Sequence, residues 1–190
     1  MELVSRAMEF AIEAHDGMRR KKQDIPFILH PMEVASIVSS LTTNQEVIAA
    51  AVLHDVVEDT PTTLEDIARN FGDRVATLVQ AETENKRRDL PPEATWRIRK
   101  EESIAYLKST KDLEAKMIFI GDKLANMRSF YMQWMKEGDA MWSGFHEKDP
   151  KQHAWYYREI AENTREFEDS LAWKEYNMLV HMLFEEGEKL

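Results

Sequence analysis

The chain has no cysteine among its 190 residues. Disulfides and thiolate metal sites are therefore excluded, and any metal must be held by nitrogen and oxygen donors. No stretch approaches the ~20 apolar residues that a membrane span requires. The opening MELVSRAMEFAIEAHDG breaks its apolar run with Glu2, Arg6, Glu9 and Glu13. It reads as neither signal peptide nor anchor, so no membrane association and a cytoplasmic location are expected. Glycine and proline number six each, and no apolar–polar alternation of period two is bounded by turn residues, so strands are not expected. Positive charge is also scarce: 25 Lys and Arg stand against 35 Asp and Glu, a net charge of −10. That balance argues against a general nucleic-acid binder, and no nucleic-acid partner is expected.

What is present suits one globular domain over residues 1–190, with 43% hydrophobic and 32% charged residues. The helical period dominates, and the spacing predicts an all-α domain of roughly eight or nine helices. Leu3, Ala7, Phe10, Ala11 and Ala14 form the first apolar stripe, over residues 2 to 15, and GMRRKKQDIPF follows as a basic loop. Pro31 suits the first position of a second helix, with His30 beside its start. Thr43 with Glu46, and Thr62 with Glu65, read as capping boxes. EVIAAAVLHDVVED between them reads as one strongly apolar helix. ETENKRRDLPP is the longest loop. Asp112 caps LEAKMIFIGDKLANMRSFYMQWMK, whose first half is apolar on nearly every side and so is expected in the middle of the bundle.

Charged groups inside those apolar helices are the chemical anomaly. His54 and Asp55 lie in AAAVLHDVVEDT, where an unpaired buried charge is costly and a cation or metal would compensate it. Glu58 and Asp59 follow at i+4 from His54 and Asp55, on the same flank. Asp122 interrupts MIFIGDKLANM in the same way, and His30 is enclosed by FIL and Pro31. Taken singly, each has an ordinary explanation: an N-cap, a satisfied core pair, a salt bridge to lysine. Together, two imidazoles and two carboxylates suit Mn²⁺, Fe²⁺, Zn²⁺ or Ni²⁺ better than Ca²⁺. Glu58 or Asp59 would then orient water or take its proton. Basic clusters at Arg19–Lys22, Lys86–Arg88 and Arg97–Lys100 fit a small polyanion, or equally a set of solvated loops and helix ends.

The runs RRKKQDIPFILHPMEVA, AAAVLHDVVEDTPTTLEDIARNFGDRVATLV and GDKLANMR, collinear from about residue 5 to 130, closely resemble the HD hydrolase domain of the Rel/Spo alarmone enzymes and the stand-alone small alarmone hydrolases. The resemblance implies an all-α fold, one Mn²⁺, and removal of the 3′-pyrophosphate of guanosine 3′,5′-bis-diphosphate or its pentaphosphate relative. It implies His30, His54, Asp55 and Asp122 as metal ligands and Glu58 and Asp59 as the catalytic carboxylates. Arg20, Lys21, Lys86, Asn126, Arg128 and Tyr157 are implied as contacts to the guanosine polyphosphate. Gly121 and Ala125 depart from the family, which more often has alanine and a larger residue there, so an altered substrate pocket is expected. The tail from about residue 131 matches poorly, and its length leaves no room for a synthetase domain. Trp134, Trp142, Trp155, Tyr156 and Tyr157 would serve as core, pocket lining or a homodimer face. His146 and His153 read as polar tail residues. The competing readings are an HD phosphatase acting on the 2′-phosphate of NADPH or on nucleoside mono- or triphosphates, and a non-catalytic nucleotide sensor. A sensor would be expected to have lost one of the six metal or carboxylate positions, and all six are present.

Overall fold

A computed structural model describes residues 2–20 and 24–186. Its helices are α1 (Leu3–Ala14), α2 (Leu29–Ser39), α3 (Gln45–Leu53), α4 (Val56–Asp59), α5 (Leu64–Phe71), α6 (Asp73–Glu82), α7 (Pro92–Ser109), α8 (Leu113–Glu137), α9 (Pro150–Glu162) and α10 (Leu171–His181). Short 3₁₀ turns at 138–144 and 165–167 and a π turn at 182–186 complete the described residues. The fold is all-α, and the only extended pairing among the described residues is an isolated bridge between Arg19 and Pro26. The chain divides into two compact units, Met1–Thr83 with Asp112–Asp122, and Glu84–Lys111 with Lys123–Leu190.

In the first unit α3 is central. Val47, Ala49, Ala50, Ala51, Val52 and Leu53 are all buried, and α1, α2 and α6 pack around them. A helix apolar on every side can be stable only when enclosed in this way. Its start is capped by Asn44, whose side chain accepts from the Glu46 N–H at 3.0 Å, and not by Thr43 as the sequence suggested. The box ahead of α5 likewise sits one residue later, on Thr63 and Asp66. In both cases the neighbouring polar residue has the extended backbone that a cap needs. Proline 31 is the third residue of α2, not the first; the N–H groups of a helix's first turn lack intrahelical partners in any case, so it is tolerated there. Arg74 on α6 grips Asp112, which also caps α8 by accepting from Glu114 N–H at 3.1 Å. The Glu114 carboxylate in turn bonds Arg74 and Asn44, so one polar network ties the starts of α3 and α8 to α6.

Gly121 explains how α8 approaches α2. A methyl group at its Cβ position would stand 2.7 Å from a Val38 methyl and 3.2 Å from one of Val34. The absence of a side chain at Gly121 therefore serves helix packing. Gly121→Ala should cost about 1–2 kcal/mol in chemical denaturation despite the better helix propensity of alanine, because valine is stiff at χ1. Adding Val38→Ala should recover part of that loss; a Gly121→Ala protein as stable as the parent would show that the contact relaxes freely.

The second unit is built on aromatic packing. Phe130 meets Trp142, Phe145 and Tyr157 edge-on, and Trp142 stacks on Phe184. Trp142, Tyr156 and Tyr157 are core residues. Trp155 is half-buried beneath Arg97, whose guanidinium lies 3.5 Å from the ring centroid. His153 corrects the sequence reading of a polar tail residue. It is 4% exposed, ringed by Trp96, Trp142 and Phe145, with Nε2 3.0 Å from the Glu147 carbonyl. Burial lowers its pKa, which favours the neutral ring. No described helix is long and apolar enough to cross a membrane.

Candidate metal centre

All four expected ligands belong to the first unit, and the structure draws them together. His30 comes from the first turn of α2, His54 and Asp55 from the corner between α3 and α4, and Asp122 from α8. His30 Nε2 lies 3.0 Å from Asp122 Oδ1 and 3.5 Å from Asp55 Oδ2. His54 Nε2 lies 3.2 Å from Asp55 Oδ2 and 3.8 Å from Asp122 Oδ1. Donor atoms of His30, His54 and Asp122 all fall within 4.8 Å of one another. These three residues are 2–5% exposed, whereas the Asp55 side chain keeps 21% of its surface open.

The corner at His54 is where the sequence reading of one continuous helix is corrected. α3 ends at Leu53 and α4 begins at Val56, though Asp59 N–H still bonds the Asp55 carbonyl at 2.9 Å. His54 Nδ1 lies 2.8 Å from the Ala51 carbonyl. A proton on Nδ1 satisfies that carbonyl, one of those a helix C-terminus leaves open, and turns Nε2 into a lone-pair donor. His54 Nε2 and His30 Nδ1 are buried with no aligned hydrogen bond in the protein.

Electrostatics agree with the geometry. Burial works to lower the His54 pKa, but the Asp55 and Asp122 carboxylates outweigh it and hold it well above the usual imidazole value. Burial likewise works to raise Asp55, and His54 and His30 hold it far below the ordinary carboxylate range. The carboxylates are thus held in the charged form beside the imidazoles, which is the form that a cation binds. The donor set fits such an ion. Metal–donor bonds of about 2.1 Å would need adjacent donors roughly 3.0–3.4 Å apart, and the four separations of 3.0–3.8 Å found here are close to that. Two nitrogens and two carboxylates suit a divalent transition metal.

Glu58 and Asp59, on α4, are half-buried. His15 was missed by the sequence reading. It ends the α1 stripe at i+4 from Ala11 and i+8 from Ala7, both fully buried, and that spacing is the signal that could have found it. It is 3% exposed, with its ring 4.8 Å from that of Phe27. Burial lowers its pKa, and charge interactions link it to Asp55, Asp59, His54 and His30.

Among the implied substrate contacts, Arg20 is half-buried in the loop after α1, its N–H bonded to the Ile25 carbonyl. Lys21 lies outside the described residues. The others belong to the second unit. Lys86 is half-buried in the loop before α7, and Asn126 is half-buried on α8. Arg128 forms a two-pronged ion pair with Glu175 at 2.6 and 2.7 Å. Tyr157 is 5% exposed inside the aromatic core, its carbonyl accepting from Tyr176 Oη.

Known proteins resemble this chain over most of its length. Residues 7–145 match the HD domain family model. The guanosine-3′,5′-bis(diphosphate) 3′-pyrophosphohydrolase of Aquifex aeolicus is 36% identical over 131 residues, covering 69% of this chain and 18% of that protein. The chain thus spans less than a fifth of the curated relatives it matches. A solved structure from Listeria monocytogenes EGD-e is 36% identical, with a TM-score of 0.70 over 82% of this chain and 98% of that one. A second solved structure, described as a metazoan ortholog of SpoT that hydrolyzes ppGpp and plays a role in starvation responses, is 26% identical. Its TM-score is 0.74 over 96% of this chain and 95% of that one. With the match spanning most of its length, the chain belongs to the HD domain family.

Proposed function

We propose that this chain is a metal-dependent phosphohydrolase that removes the 3′-pyrophosphate of guanosine 3′,5′-bis-diphosphate and its pentaphosphate relative, releasing GDP or GTP and pyrophosphate in the cytoplasm. The observation that carries the reading is the buried convergence of His30, His54, Asp55 and Asp122, with two further carboxylates on the turn that follows. These four residues would hold one Mn²⁺. A divalent ion there supplies Lewis acidity toward a phosphoryl oxygen and toward water. Glu58 and Asp59 act on the proton side, orienting the attacking water and accepting its proton. Arg20, Lys21 and Lys86 provide positive charge for the phosphates, Arg as a planar fork and Lys as a point charge. Asn126, Arg128 and Tyr157 are assigned to the nucleotide by resemblance; for Arg128 that role requires exchanging its Glu175 partner. The names carried by the Aquifex relative and by the metazoan structure support the same substrate.

The test is product identity. With Mn²⁺ present, guanosine 3′,5′-bis-diphosphate should yield GDP and pyrophosphate with a kcat/KM far above that for GTP, GMP or deoxynucleoside triphosphates. A 2′-phosphatase would instead turn NADPH into NADH and inorganic phosphate. An equal or greater kcat/KM on NADPH or a simple nucleotide would overturn the alarmone assignment.

A further inference from the structure

The loop before α7 carries Lys86 and is gripped by α7 on both sides of that residue. On one side, Glu84 accepts from Arg99 and Lys100 at 2.6 Å each and lies 3.4 Å from the Ser103 hydroxyl. Glu84, Arg99 and Lys100 keep only 11%, 12% and 17% of their side-chain surfaces exposed. Burial works to raise the Glu84 carboxyl, yet Lys100, Lys123 and Arg99 bring its pKa down to about 2, so the grip is ionic at any physiological pH. On the other side, Arg87 forms a two-pronged pair with Glu102 of the same helix. The loop also bonds itself: Asn85 Oδ1 accepts from Arg87 N–H at 3.1 Å between the two grips, and just beyond them the Arg87 carbonyl accepts from Leu90 N–H at 2.8 Å.

Arg87 holds φ at +44°, the one non-glycine residue with positive φ among those described. The left-handed region is unfavourable for a side chain with a Cβ, and such a conformation persists only where its surroundings impose it. Here those surroundings are Asn85 and Glu102. Arg99, Lys100, Glu102 and Ser103 fall within about one turn of α7, so the helix offers both grips from nearly the same level.

We propose that Glu84, Arg87 and Glu102 are positioning residues for Lys86, fixing where its ammonium stands to receive a phosphate of the substrate. This rests on the assignment of Lys86 as a phosphate contact. Ordering a long lysine at binding costs rotamer and loop entropy, and a backbone set in advance leaves less to lose. The clamp therefore acts on binding, through KM, and leaves proton transfer alone.

The test uses the full chain with Mn²⁺ and guanosine 3′,5′-bis-diphosphate as substrate. Arg87→Ala and Glu102→Gln should each raise KM about three- to tenfold with little change in kcat, and Arg87→Lys should recover part of the loss. In a Lys86→Ala background the same substitutions should have no further effect on KM, a result that general loosening of the fold would not produce. Glu84→Gln is the less diagnostic variant, because it leaves Arg99 and Lys100 buried without their counter-charge and lowers Tm as well. Equal effects of Arg87→Ala with and without Lys86 would overturn the proposal. So would an unchanged KM in both clamp variants when Lys86→Ala itself raises it. An unchanged KM in Lys86→Ala, or no turnover of this nucleotide, marks failure of the parent assignment, and the clamp falls with it.

Discussion

Asp122→Asn should strip the divalent ion from the protein and abolish hydrolysis, while the helices remain. Asp122 closes the cluster from α8, with Oδ1 3.0 Å from His30 and 3.8 Å from His54. An amide keeps the shape but supplies neither the charge nor the basicity that offsets a cation. His54→Ala should do the same and also leave the Ala51 carbonyl without its partner. Loss of a partner one shell out typically costs about 10–100-fold in metal affinity, and loss of a direct ligand more. Elemental analysis after metal loading and desalting should find about one ion per chain in the parent and almost none in either variant. Circular dichroism would verify that helix content is kept. A parent protein that retains full activity in chelator with no bound metal would refute the metal assignment.

Glu58→Gln and Asp59→Asn should separate chemistry from metal binding. His30, His54, Asp55 and Asp122 come together without either carboxylate, and both stand on the single turn of α4 that follows. Each variant should hold the ion as the parent does, yet lose about 10²–10⁴-fold in kcat, the usual cost of removing a general base or a group that orients water. Metal content and single-turnover rates measured on the same preparations provide the check. If both variants turn over within a few-fold of the parent, another group moves the proton. His15, with its charge interaction with Asp59, would then be the first to examine.

Much of this site could be read from the residue pattern because it violates the pattern. A carboxylate in MIFIGDKLANM or a His-Asp pair in AAAVLHDVVED stands out against apolar neighbours, and the cost of burying it demands a partner. His15 gave no such contrast. It closes the first helix beside a polar loop, where a histidine usually reads as surface, and only the spacing from Ala7 and Ala11 marked it as buried. The caps were misplaced by one residue because TTN and PTTLE each offer adjacent polar candidates, and backbone dihedrals decide between them. Contacts that join distant positions were out of reach: Arg128 with Glu175, or Glu84 with Arg99 and Lys100. No local pattern specifies partners 47 or 15 residues away. The role of Gly121 was also hidden, since its neighbours Val34 and Val38 come from another helix.

The break between α3 and α4 turns the centre into a fastening for its own backbone. α4 has only four residues, too short to persist on its own hydrogen bonds, and it follows directly from the corner formed by His54 and Asp55. An ion shared by those two side chains with His30 and Asp122 would tie the corner to α2 and α8. Amide hydrogen exchange over residues 56–60 should accordingly slow on metal loading more than exchange in the interior of α3, which is protected by burial whatever the occupancy. Where Glu58 and Asp59 stand is then a matter of local stability as well as geometry: a bound ion would also hold in place the turn on which these two carboxylates are mounted.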